Sequence, residues 1–184
     1  MKKSITAAVV ALFAILPFSY VAAAPISGTV KDSIAAVVSV DKPTPESLDS
    51  LIAALTAEVK VQGLDNVKTI AAQVMANAKS PESAKALAKA MSTAALMVAK
   101  QFEEDLNGVA SDLASGILEG TPAEFQSDAI AEAVADASEI GGAEVADSIT
   151  EVVQDQEAPE VVAPSGDAGE TPAVDLSSDT GVSD

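Results

Sequence analysis

Residues 80–102 read SPESAKALAKAMSTAALMVAKQF, and this stretch decides the fold class. Ser80 supplies a hydroxyl that can cap a helix, and Glu82 suits the positive end of the helix dipole. Pro81 already has a helical φ and lacks the amide that would otherwise go unpaired. Alanine dominates the residues that follow, and larger apolar side chains recur at helical spacing. The stretch therefore predicts an amphipathic α-helix.

The same starting signature recurs as TPE at 44–46 and as TPAE at 121–124. Weaker turns at 63–66, 106–108 and 140–143 each precede another segment with apolar residues at helical spacing. The valines at positions 30, 67, 109 and 145 begin similar segments that are 37, 42 and 36 residues apart. We therefore predict an all-α domain over 24–157, built of one lead helix plus three helix–turn–helix units. These antiparallel helical hairpins form either a small bundle or a short solenoid.

The position of one break between helices and the set of core residues depend on this interpretation. Residues 82–119 can run as one long helix, but Asn107 beside Gly108 favours a break near 106–108. The predicted buried faces are Leu48, Leu51, Ile52, Leu55 and Val59; Leu87, Met91, Ala94, Val98 and Phe102; Leu106, Val109, Leu113 and Ile117; and Phe125, Ala129, Ile130, Ala133, Val134, Ala137 and Ile140.

Both ends of the chain differ from this helical segment. Residues 1–23 carry two lysines and an apolar run from Ile5 to Leu16, which predicts a secretory signal peptide cleaved after Ala23. The alternative is an uncleaved anchor helix, which the short run disfavours. Residues 158–184 are rich in Pro, Gly, Ser and acidic residues, so we predict a disordered acidic tail. The protein is expected to be exported, to the periplasm or outside the cell, with no transmembrane span after cleavage.

Charge is distributed unevenly along the chain. All ten basic residues are lysines, and none follows Lys100, although 21 of the 28 acidic residues lie beyond it. A net charge of −18 disfavours nucleic acid and anionic membranes as partners, because it repels phosphate. The expected partner is an unidentified protein or envelope component, basic in one version of the hypothesis, and self-association is a further option.

The sequence contains few of the residues that enzymes use. It has no His, Cys, Arg or Trp, so it lacks the commonest general base, any thiol nucleophile and any disulfide. Residues 39–42 (SVDK) fit a Ser-x-x-Lys pattern, but the companion motifs Ser-Asp-Asn and Lys-Thr-Gly are missing. We therefore predict no catalytic residue, no cofactor site and no enzymatic activity.

Two runs of carboxylates remain as candidates for binding. The first acidic row is Glu124, Asp128, Glu132 and Asp136, and the second acidic row is Glu144, Asp147, Glu151 and Asp155. Like charges at this spacing cost about 0.2–0.5 kcal/mol per pair, and we expect no lysine to relieve them. Both rows are weak candidates for diffuse Ca²⁺ binding or for contact with a basic partner; the alternative is simple solvation.

The leading hypothesis is an exported, non-enzymatic helical protein with a structural or protein-interaction role in the cell envelope or extracellular matrix, held in one version by bridging cations. The alternative is a surface-active protein that binds lipid or another hydrophobic interface, because alanine-rich amphipathic helices around a thin core can open onto such an interface. A carboxylate-only enzyme or a chaperone with a helical groove forms a third class.

Overall fold

The computed structural model describes residues 24–157; the predicted signal peptide and acidic tail lie outside the described residues. Within 24–157 the chain forms seven α-helices and two short 3-10 turns, and no strand. The helices are α1 Gly28–Val38, α2 Pro45–Gln62, α3 Val67–Met75, α4 Pro81–Gln101, α5 Leu106–Gly120, α6 Gln126–Gly141 and α7 Ala143–Glu157. The prediction of one lead helix plus three helix–turn–helix units is confirmed.

The hairpins stack in two rows. The first helices of the three units (α2, α4 and α6) pack side by side, and the second helices (α3, α5 and α7) form a parallel row behind them. Helix α1 packs against α2 at the first end of the stack and also reaches α4. The Ile26 amide donates a hydrogen bond of 3.0 Å to Gln73 on α3, which ties α1 to both rows.

Two of the three predicted helix caps are confirmed. The Thr44 hydroxyl accepts from the Ser47 amide at 3.2 Å. Ser80 and Ser83 cap each other, because each hydroxyl accepts from the other residue's amide, at 3.1 and 2.9 Å. Proline follows each cap at the first helical position, as the signature requires.

The third predicted cap, at Thr121, is wrong. Its buried hydroxyl donates to the Ile117 carbonyl at 2.6 Å, so Thr121 closes α5 instead of starting the next helix. A 3-10 turn over Ala123–Phe125 follows, and α6 begins only at Gln126. The Gln126 side-chain amide donates to the Leu118 and Thr121 carbonyls, which fixes this tight connection.

The predicted break inside 82–119 is present, but it lies at 102–105, earlier than expected. Glu103 takes a left-handed conformation with φ 57°, and the Glu104 amide then donates to the Ala99 carbonyl at 3.0 Å. The Asp105 side chain accepts from the Asn107 amide and caps α5, so Gly108 lies inside the helix. The cap at Asp105 therefore sets the start of α5, whereas the pair Asn107–Gly108 had suggested a break a few residues later.

The core consists largely of small side chains and follows the predicted faces closely. Phe102 is the exception: it is 56% exposed, because α4 has ended and the chain turns away at that residue. Predicted positions that are buried are Leu51, Leu55, Val59, Leu87, Met91, Ala94, Val98, Val109, Leu113, Ile117, Ala129, Ala133 and Ala137. Those partly buried against them are Leu48, Ile52, Leu106, Phe125, Ile130, Val134 and Ile140.

Helices α3 and α5 approach each other unusually closely. A Cβ atom added at Gly116 would overlap the Lys68 carbonyl oxygen, and one added at Gly120 would overlap the Ala72 backbone. Two glycines four residues apart lie on one face of a helix, so they form a flat strip against α3. The second row of helices therefore depends on backbone-to-backbone contact, which leaves no room for side chains.

Candidate functional site

The first acidic row runs along α6 on the side that faces α4. Lys85 Nζ lies 3.0 Å from Asp128 Oδ1, and Lys89 Nζ lies 3.8 Å from Glu132 Oε1 and 4.0 Å from Asp136 Oδ1. Apart from Asp136, these side chains are about a third to a half exposed, so solvent screens the pairs and each contributes little to stability. The hydrogen bond and charge of Asp128 raise the pKa of Lys85 above its ordinary value.

These contacts correct one expectation, that the first acidic row has no lysine to relieve its repulsion. The relief comes from the neighbouring helix, at a constant interval of 43 residues: Lys85 to Asp128, Lys89 to Glu132, and Thr93 to Asp136. A constant interval is what stacked repeats produce, since each unit lies one step from the last. Glu124 lies in the 3-10 turn before α6 and pairs with no lysine of residues 24–157.

Asp136 is the most perturbed member of the row. Its side chain is only 7% exposed, and its Oδ2 accepts a hydrogen bond of 2.6 Å from the Thr93 hydroxyl. Burial raises the pKa of the Asp136 carboxyl above its ordinary value, although Thr93 and Lys89 act in the opposite direction. A buried carboxylate is costly unless it is paired, and these two groups of α4 provide the pairing.

A groove of about 600 Å³ lies above Asp136, between α2, α4 and α6. Its apolar wall is formed by Ile52, Met97 and Ile140, and Lys100 lies at its edge. Lys100 Nζ donates to the Ile140 carbonyl at 3.1 Å, near the carboxyl end of α6, where a cation is favoured. Asp136 and Lys100 are both occupied by contacts between α4 and α6, so these two groups position one helix on the next.

The second acidic row is different, because it faces outward. Glu144, Asp147, Glu151 and Asp155 are all exposed on α7, and none pairs with a lysine of the described part of the chain. The opposite face of α7 is buried against α5 and α6 through Val145, Ala146 and Ile149. The two rows that the sequence makes look alike therefore have different surroundings.

Two further candidate sites, a metal site and the Ser-x-x-Lys pattern, concern residues 24–157. No group of three or more Asp or Glu side chains there is arranged to hold a metal ion. The residues of the Ser-x-x-Lys pattern follow α1, and the Ser39 hydroxyl donates to the Ala36 carbonyl at 3.2 Å, which is a helix-end contact.

Sequence reasoning missed the polar groups that join helices. Lys85, Lys89 and Thr93 recur at intervals of four on α4, and the same interval separates the carboxylates of the first acidic row. Matching these two periodicities would have suggested the pairing. Glu58, which accepts a hydrogen bond of 2.6 Å from the Gln62 side-chain amide, showed no comparable signal.

Among the helices between residues 24 and 157, none is long and apolar enough to cross a membrane. No protein-family model, no curated protein and no solved structure matches this chain.

Proposed function

We propose that this is an exported, non-enzymatic helical protein with a structural or protein-interaction role in the cell envelope or extracellular matrix, and that the second acidic row is its contact surface. The contrast between the two rows is the observation that carries the proposal. Asp128, Glu132 and Asp136 are used inside the protein to join α6 to α4. The four carboxylates of the second acidic row have no such partner among residues 24–157.

The geometry of α7 fits a docking role. It is the last helix of the described stack, and its buried face packs against α5 and α6. The second acidic row spans 144–155, about 17 Å along the helix at 1.5 Å per residue. A strand or helix carrying three or four lysines or arginines could pair with such a row, and the stacked hairpins would hold the row in place.

Neutralising the second acidic row tests the proposal. The test variant is E144Q/D147N/E151Q/D155N, and its matched control is D167N/E170Q/D175N/D179N, which removes the same charge from the C-terminal segment. We expect immobilised wild-type protein and the control to retain the same protein from an envelope extract, and the test variant to lose it. Equal retention by all three proteins, or none above bare resin, contradicts the proposal.

A bridging cation is a more specific form of the same idea. Because no three acidic groups of residues 24–157 are placed to hold one metal ion, Ca²⁺ would have to take further ligands from a partner or a second copy. Sedimentation with and without millimolar Ca²⁺ separates the two forms. Assembly that needs Ca²⁺ and is lost in the test variant supports bridging, whereas Ca²⁺-independent binding of a basic partner supports direct contact.

The surface-active alternative would require the fold to open. The apolar faces of the described helices are turned inward, and the large apolar side chains that remain exposed are scattered: Val40, Val61, Met97 and Phe102. Scattered apolar residues are normal on protein surfaces. Surface tension measured at micromolar protein distinguishes the hypotheses, because a drop without loss of helix would favour the alternative.

A further inference from the structure

A second groove, of about 510 Å³, lies where the last helix–turn–helix unit meets α5. It is bounded by the carboxyl end of α5, the start of α6 and the carboxyl end of α7. None of the side chains that line it is charged: Leu118, Ala123, Gln126, Ser127, Ile130, Ala131, Val153 and Gln156. Five of these eight residues are apolar, so the groove exposes uncharged, partly apolar surface in a protein of net charge −18.

The opposite end of the stack shows how such a surface can be covered. There the residues before α2 form α1, whose Val30, Ile34 and Val37 are buried against the first unit. Stacked repeats require a covering segment at each end, because the terminal unit has one neighbour fewer. The last unit has no corresponding element among residues 24–157, although the chain continues beyond α7.

The segment that leaves α7 has the right position and composition. Gln156 lines the groove, so Val161, five residues later, can lie up to about 17 Å away. Residues 158–164 read APEVVAP, with one charge in seven positions, whereas the residues after Pro164 carry five acidic groups, at 167, 170, 175, 179 and 184. The two prolines bias the residues before them towards extended backbone, which lowers the entropy lost on docking.

We propose that residues 159–164 fold back and place Val161 and Val162 in the groove between α5, α6 and α7, as an intramolecular cap of the last unit. The acidic residues beyond Pro164 then project away from the cap. The valines supply the apolar contact, and no carboxylate is among the residues that line the groove. The contact surface of the second acidic row plays no part in this proposal.

Disulfide trapping in the full chain tests it directly, because the sequence contains no native cysteine. The reporter pair is Ala131→Cys on the exposed surface of the groove with Ala163→Cys in the segment. Its effective concentration is read from equilibrium with glutathione, and a flexible tether alone gives values in the millimolar range. We expect V161S/V162S to lower that value about tenfold, and the matched control V174S/V182S to leave it unchanged.

Two outcomes overturn the proposal. An effective concentration that V161S/V162S changes by less than twofold means that the segment passes the groove without docking. Disulfide-linked dimers whose fraction rises with protein concentration mean that a second copy occupies the groove instead. Circular dichroism of each variant confirms that the helical domain is intact, and the substituted valines lie outside that domain.

Discussion

Asp136 and Glu58 show how the surroundings of a single carboxyl set its effect on stability. Both are buried: as whole residues, Asp136 is 6% exposed and Glu58 is 8% exposed. Burial raises the pKa of Asp136, and the hydrogen bond from Thr93 does not fully offset it. For Glu58 burial acts in the same direction, but hydrogen bonds from Ser27 and Gln62 outweigh it and lower the pKa below 4.5. The two residues should therefore respond to pH with opposite signs.

For Asp136 we expect stability to rise on acidification. Between the ordinary value of 3.8 and its raised pKa, the folded protein binds the proton more tightly than the unfolded chain. The free energy of unfolding contributed by Asp136 therefore increases as pH falls through that raised pKa. Asp136→Asn should remove this increase while costing little at pH 7, since an amide still accepts from Thr93. Urea denaturation of both proteins across acidic pH measures the difference.

Glu58→Gln is the control of opposite sign. The stability that Glu58 contributes is present above 4.5 and is lost as pH falls through its lowered pKa. Glutamine still accepts the bond from Gln62, but as a neutral group, so the variant should cost about 1 kcal/mol at pH 7, and the cost should shrink in acid. If both variants shift in the same direction with pH, the assigned surroundings are wrong.

Glu103 is a position where the backbone favours another residue. With φ 57° it occupies the left-handed region, which glycine adopts without a Cβ penalty. Glu103→Gly should stabilise the protein by about 0.5–1 kcal/mol, because relief of this strain exceeds the added entropy of the unfolded chain. Glu104→Gly removes the same charge at an ordinary φ and should not stabilise. Thermal denaturation of the two variants tests this prediction. Equal changes in melting temperature for Glu103→Gly and Glu104→Gly would contradict the interpretation.

At the scale of elements, the contact between α3 and α5 leaves the least room for change. Gly116→Ala and Gly120→Ala should each destabilise the protein by about 1–3 kcal/mol, since the added methyl group meets backbone that cannot rotate away. Gly28→Ala, where the methyl group meets nothing within 4 Å, is the matched control and should have little effect. Equal denaturation midpoints for Gly116→Ala and the wild type would show that α3 and α5 can separate without cost.

For the whole molecule, repulsion opposes folding. The net charge of −18 far exceeds what the few ion pairs between α3 and α5 and between α4 and α6 can offset. Salt at about 0.5 M shortens the screening length to a few ångströms, so NaCl should raise the melting temperature. A melting temperature that falls with NaCl would mean that attraction in the lysine ion pairs affects stability more than repulsion among the unpaired carboxylates does. Differential scanning calorimetry at several NaCl concentrations measures this balance.

The sequence by itself determined the helices, their number and most of their buried faces, because capping, proline placement and apolar spacing act within a few residues. It also identified both acidic rows. Only the tertiary structure decided that the first row pairs with Lys85 and Lys89 while the second faces outward, because that depends on which helices become neighbours. The same holds for the glycine strip of α5, which lies against Lys68 and Ala72 of α3. Each of these results from contact between residues distant in the chain, for which local periodicity carries no signal.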